Sequence, residues 1–91
     1  TLAGPGSRSV AAGTDEIVYT DTSGNADACA TVVNTGKAIL TVTLDDGSIT
    51  STIDIPVSGS GSVCLDAVET VELTCPVGTV ACSAQWRIDN N

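Results

Sequence analysis

The sequence predicts an all-β domain: a small antiparallel β-sandwich or jelly roll of about seven strands, preceded by a flexible N-terminal arm. Three observations lead there. Val, Ile and Thr fill 30 of the 91 positions, and such side chains suit pleated, half-buried surfaces. Apolar and polar residues alternate at period two through most of the chain, and no helical period competes with that alternation. Clusters of Gly, Ser, Asn, Asp and Pro interrupt it at roughly 8–12-residue intervals, the spacing of short strands in sandwiches and barrels.

Residues 1–13 read TLAGPGSRSVAAG. Small residues punctuated by Gly, Pro and Ser lack the alternation of a strand, so this segment is expected to be an arm, with the sandwich spanning 14–91. Strands are expected at 16–20 and 28–34, divided by Ser23-Gly24-Asn25. A hairpin follows. Leu40, Val42 and Leu44 share one face, Asp46-Gly47 is a type I′ turn signal, and Ile49, Ser51, Ile53, Ile55 and Val57 share one face. A two-residue loop sets Leu44 opposite Ile49, Val42 opposite Ser51 and Leu40 opposite Ile53. After Ser58-Gly59-Ser60-Gly61 comes a strand at 62–65.

The last segment reads as a second hairpin. Val71, Leu73 and Cys75 alternate with polar neighbours, as do Val80, Cys82, Ala84, Trp86 and Ile88. A four-residue loop, Pro76-Val77-Gly78-Thr79, sets Cys75 opposite Val80, Leu73 opposite Cys82 and Val71 opposite Ala84. Trp86 is the one large aromatic anchor and is expected between the sheets. A sugar-stacking platform instead requires its ring to be exposed.

Cys29, Cys64, Cys75 and Cys82 make an even count in a short chain with no CxxC pair. That pattern fits two disulfides and an oxidising, extracellular setting, and leaves three pairings open. It lacks the close ligand pairs of a structural zinc site. The cysteines either staple the domain or join neighbouring chains. With so few aromatics in the core, covalent staples worth about 2–4 kcal/mol each matter.

Eleven acidic residues against three basic ones give a formal charge of −8. Arg8, Lys37 and Arg87 are too few and too scattered to neutralise phosphates, which excludes a nucleic-acid partner and an anionic membrane surface. No apolar run is long enough for a membrane span. The acidity reads as a solubility device. Calcium is the one cofactor with any support: Asp21, Asn25 and Asp27 cluster at one loop, Asp45 and Asp46 at another. These residue types are also what turns require, so no cofactor is expected.

Catalysis finds little material. There is no histidine, no G-x-S-x-G nucleophile motif and a single lysine, so no catalytic residue is assigned. A glycosidase carboxylate pair needs a cleft, for which so short a chain has little room. Interaction remains. A Lys-poor chain rich in Val, Ile and Thr offers open strand edges, which monomers usually blunt with charge or proline. Asp54 and Pro56 guard one edge. Edge pairing between copies, with Arg8, Ser9 and Val10 of the arm touching the next subunit, builds a filament when the contact does not close a ring.

An ordered series strengthens this reading: Asn34-Thr35-Gly36, Asp46-Gly47-Ser48, Ile53-Asp54-Ile55-Pro56-Val57, Gly59-Ser60-Gly61-Ser62, Val68-Glu69-Thr70-Val71-Glu72-Leu73 and Trp86-Arg87-Ile88. Across residues 28–90 it resembles the bacterial endospore-appendage pilins. The resemblance implies a jelly-roll subunit of an extracellular fibre on a cell or spore surface, polymerised with itself by β-sheet augmentation and by an N-terminal connector. In that family the connector carries cross-linking cysteines; residues 1–13 here contain none. The competing expectation is a small secreted or phage-borne binding module for carbohydrate or protein.

Overall fold

The computed structural model describes residues 2–21, 23 and 26–91. It contains eight strands: β1 (Ala3–Val10), β2 (Asp15–Thr20), β3 (Ala26–Asn34), β4 (Leu40–Asp45), β5 (Thr50–Ile55), β6 (Ser60–Val68), β7 (Thr70–Thr74) and β8 (Cys82–Asn90). They form two antiparallel four-stranded sheets, ordered β1-β8-β3-β6 and β2-β7-β4-β5. Every connection except β4–β5 crosses from one sheet to the other. Eight strands in two sheets with these crossings make the jelly-roll form of the sandwich. The turn expected at Ser23-Gly24-Asn25 lies partly outside the described residues.

The core follows from the alternation. From the first sheet, Val10, Ala28, Ala30, Val32, Val68, Ala84 and Ile88 point inward; from the second come Leu40, Val42, Leu44, Ile55, Val71 and Leu73. The Leu-rich face of one sheet meets the Ala- and Val-rich face of the other. Large residues over small ones let two sheets interdigitate closely.

Three sequence expectations are corrected. First, residues 3–10 are strand, not free arm: Ser7 lies opposite Gln85, Arg8 opposite Ala84, Ser9 opposite Ser83 and Val10 opposite Cys82. The glycines that suggest a linker have a packing reason. A Cβ on Gly4 or Gly6 would stand 3.1 and 2.9 Å from the Trp86 ring. Only a bare backbone fits against that indole.

Second, β7 and β8 do not pair. β7 lies between β2 and β4, whereas β8 lies between β1 and β3. Their apolar faces meet across the core instead of side by side. Alternation gives the direction in which side chains point, and a hairpin and an inter-sheet crossing share it.

Third, the β4–β5 hairpin forms with a longer loop. Leu44 lies opposite Ser51, Val42 opposite Ile53 and Leu40 opposite Ile55, two residues from the expected register. The Asp46 carboxylate accepts the Ser48 and Ile49 amides at 2.8 and 2.7 Å, and Asp45 accepts the Gly47 amide at 2.6 Å. These bonds stabilise a four-residue loop. An even shift preserves the faces, so the inward set survives apart from Ile49 and Val57, which sit exposed before and after β5.

Candidate functional site

The chemistry this chain presents is mostly main-chain, so the site is built from the sheet edges. β1 and β6 border the first sheet, β2 and β5 the second. β5 carries Asp54 near its end and is followed at once by Pro56. β1 contains Pro5, which has no amide hydrogen, within a register irregularity between Ala3 and Gly6. The Arg8 guanidinium reaches from β1 to Glu16 of β2 at 3.6 Å. Charge, proline and irregular pairing are devices that blunt an edge. Arg8 therefore has a partner within its own chain, and Val10 is fully buried.

β6 is different. Over Ser60-Gly61-Ser62-Val63-Cys64-Leu65 it has neither charge nor proline, and its pairing with β3 is regular from Cys64 back to Ser60. Asn34 donates its amide to the Gly59 carbonyl at 2.9 Å. In that phase residues 59, 61 and 63 turn their polar groups to β3, and Ser60, Ser62 and Cys64 turn theirs to the open side. The irregularity comes later, where Asp66 and Ala67 bulge out opposite Asp27. Ala67 has φ +54° there, and its amide donates to the Asp27 carboxylate at 3.0 Å.

All four cysteines are paired. Cys29 bonds Cys64, and Cys75 bonds Cys82. The first pair links directly opposed residues of β3 and β6 on the outer face of the sheet, with Cys64 exposed. The second is buried and spans the crossover between β7 and β8. Beside that crossover Asn34, the one buried polar side chain among the described residues, ties two loops together. Its Nδ2 donates to the Ala38 and Ile55 carbonyls at 2.8 and 3.0 Å, and its Oδ1 accepts the Gly36 amide at 2.9 Å. From the sequence, Asn34 is only the last residue of an expected strand.

Of the carboxylates considered for calcium, Asp21, Asp45 and Asp46 act in turns and Asp27 at the β3–β6 bulge. Asp21 accepts from the Ser23 amide and hydroxyl, which holds its carboxyl below the usual range. The Ile49 and Ser48 amides lower Asp46 in the same way. Asn25 lies outside the described residues. No group of three or more His, Cys, Asp or Glu side chains arranged to hold a metal occurs among the described residues.

Trp86 packs against the core but lies under the Gly4–Gly6 segment. Its Nε1 is buried without a hydrogen-bond partner among the described residues. An indole covered in this way is no stacking platform. A shallow depression of about 190 Å³ lies beside it, lined by Pro5, Thr31, Val33, Gln85, Trp86 and Arg87. The Arg87 Nε already donates to Asp89 at 2.7 Å.

Comparison with known proteins gives one informative likeness. The chain is similar to a solved structure described as Bacillus endospore appendages that form a novel family of disulfide-linked pili. It is 20% identical to that chain, with 97% of this chain and 93% of that one covered and a TM-score of 0.62. The fold is the one that the resemblance to appendage pilins implies. No family model and no curated protein matches.

Proposed function

We propose that this chain is a non-catalytic structural subunit of an extracellular fibre, which self-associates by adding one copy's strand edge to another's. The observation that carries the reading is the row of open backbone groups on Ser60, Ser62 and Cys64. A nearly straight edge with no charge or proline is a template for strand addition, in which main-chain hydrogen bonds supply affinity. The complementary edge is β2 of the next copy, which is blunted by Asp15, Glu16 and a register irregularity between Ile17 and Tyr19 but has no proline and exposes Ile17. β6 and β2 border different sheets on opposite sides of the sandwich, so the contact is head-to-tail, and it builds a filament when its rotation does not close a ring. Two disulfides suit an oxidising exterior. The shared fold with an endospore-appendage pilus structure supports both the fibre and a cell- or spore-surface location.

The test is Ser62→Pro. The amide it removes faces away from β3, so the monomer's stability is expected to change by less than about 1 kcal/mol. Fibre formation, seen by negative-stain microscopy of the purified chain, is expected to disappear. Fibres that persist in a well-folded S62P protein would exclude the β6 edge. Wild-type chain that stays as discrete particles at high concentration would exclude the fibre.

A further inference from the structure

We infer that the paired aspartates of the β4–β5 loop protect the backbone itself. Asp45 and Asp46 hold the Asp46-Gly47 bond against isomerisation to isoaspartate, and loss of the Asp45–Gly47 hydrogen bond turns Asp46 into a modification site. This goes beyond the fibre reading and does not rest on it.

The sequence supplies the hazard. Of the nine glycines only Gly47 follows an Asp or Asn. Glycine has no Cβ to shield its own nitrogen from the preceding carboxyl. In the reaction the Gly47 nitrogen attacks Cγ of Asp46 in its acid form. A C–N bond forms, the bond from Cγ to its hydroxyl breaks, and the hydroxyl leaves with the amide proton as water. Water then opens the succinimide ring. Addition at the main-chain carbonyl leaves the chain running through the former side chain, so a methylene enters the backbone, with no atom gained or lost overall. Burial does not prevent this, because Gly47 is exposed and Asp46 only half-buried.

The loop opposes each requirement of that reaction. The electrophile must be protonated and must face back toward Gly47. Instead the Asp46 carboxylate is held forward by the Ile49 and Ser48 amides at 2.7 and 2.8 Å. Bonds to the ionised form favour it, so the carboxyl lies below its usual range. The nucleophile must lose its proton. Instead the Gly47 N–H donates to the Asp45 carboxylate at 2.6 Å, a charge-assisted bond stronger than a neutral one. A second negative charge stands beside it, since a Cβ on Gly47 would lie 2.9 Å from a Glu69 carboxylate oxygen. Two carboxylates disfavour an anion on the amide between them. Ring closure also needs torsional freedom about Asp46 and Gly47. The Asp46 amide donates to the Ile49 carbonyl at 3.1 Å, and the Glu69 amide to the Asp45 carbonyl at 2.8 Å, so the loop is closed across its span and tied at its start. The turn alone does not call for both aspartates. Asp46 by itself serves the two forward amides; the Asp45 side chain adds a bond at the one nitrogen where the reaction begins.

Ageing the purified chain tests this. Folded wild type, the same chain reduced and unfolded in guanidinium chloride, Asp45→Ala and Asp45→Asn are incubated together in neutral buffer below the melting temperature. Isoaspartate is counted by isoaspartyl methyltransferase labelling and located by mass spectrometry of the digested chain. The unfolded chain is expected to accumulate it at Asp46, and the folded wild type at no more than about one-tenth of that rate. D45A is expected to run about tenfold faster than folded wild type, the factor that one hydrogen bond to a charged group is worth. D45N keeps an acceptor oxygen for the Gly47 amide and is expected to stay close to wild type. Folded wild type that isomerises as fast as the unfolded chain would overturn the protection. D45A as slow as wild type, or D45N as fast as D45A, would overturn the role of the Asp45–Gly47 bond. Circular dichroism of each sample checks that it stays folded. Should D45A not fold, Asp45→Val, which suits a strand and has no acceptor, repeats the measurement.

Discussion

At the loop end of the sandwich, Cys75 and Cys82 are almost wholly buried and join two strands that lie in different sheets and share no ladder. On the outer face of the other disulfide's sheet, Cys29 and the exposed Cys64 join strands that are already paired over most of their length. The first bond fixes a crossing that no backbone hydrogen bond between its strands holds. The second adds a covalent link to a pairing the ladder holds by itself. Their loops differ in the opposite sense, with sequence separations of 7 and 35. Chain entropy favours the exposed bond, at about 3.8 against about 2.4 kcal/mol. Burial favours the other, because removing packed sulfurs from a core costs roughly 2 kcal/mol more.

The largest expected effect follows. C75A/C82A destabilises by about 4.5 kcal/mol and C29A/C64A by about 3.8 in denaturant unfolding. The reverse order would mean that loop length alone decides. Under mild reduction of the folded chain, alkylation and mass spectrometry should find Cys29 and Cys64 labelled well before Cys75 and Cys82, since exchange needs access.

The next effect sharpens the account of the loop end. Asn34→Ala leaves the Ala38 and Ile55 carbonyls and the Gly36 amide without their partner, and should cost about 2–3 kcal/mol. A loss below 1 kcal/mol in thermal or chemical unfolding would show that the disulfide holds those loops unaided.

A smaller effect addresses the β3–β6 face. Ala67 sits at positive φ in the bulge, so Ala67→Gly should raise stability by about 1 kcal/mol. A loss would show that the Ala67 methyl packs more than it strains.

The smallest lies outside both regions. Burial, with Asp15 and Asp45 nearby, raises the Glu72 carboxyl above its ordinary range. A raised carboxyl favours the protonated folded form, so its penalty is absent below the unfolded carboxyl pKa and grows as pH rises through the folded one. Glu72→Gln should therefore stabilise by about 0.5 kcal/mol at pH 7, with the gain vanishing below about pH 4. A gain that persists in acid would point to packing.

The inward faces of β4, β7 and β8 were legible in the sequence because alternation states them directly. The pairing of strands was not. Val71 and Ala84 belong to one apolar layer whether their strands lie side by side or face to face, and nothing local distinguishes the two. The shift at the β4–β5 loop had a readable cause, two adjacent aspartates that each cap an amide, but Asp-Gly is an equally good two-residue turn. β1 was hidden for another reason. Gly4 and Gly6 look like linker until Trp86, eighty residues later in the chain, explains them. Of the site, the cysteines and one guarded edge were visible, whereas the open phase of β6 needed the register with β3.

The crossings between the sheets have a consequence in time. Among the strands of the sandwich β1 is made before the others and its partner β8 after them, so this edge strand waits for nearly the whole sandwich to be made. Topologies dominated by such distant pairings fold slowly. The one contact available early is the β4–β5 hairpin. Until β8 arrives, β1 has no strand of its own sheet to pair with.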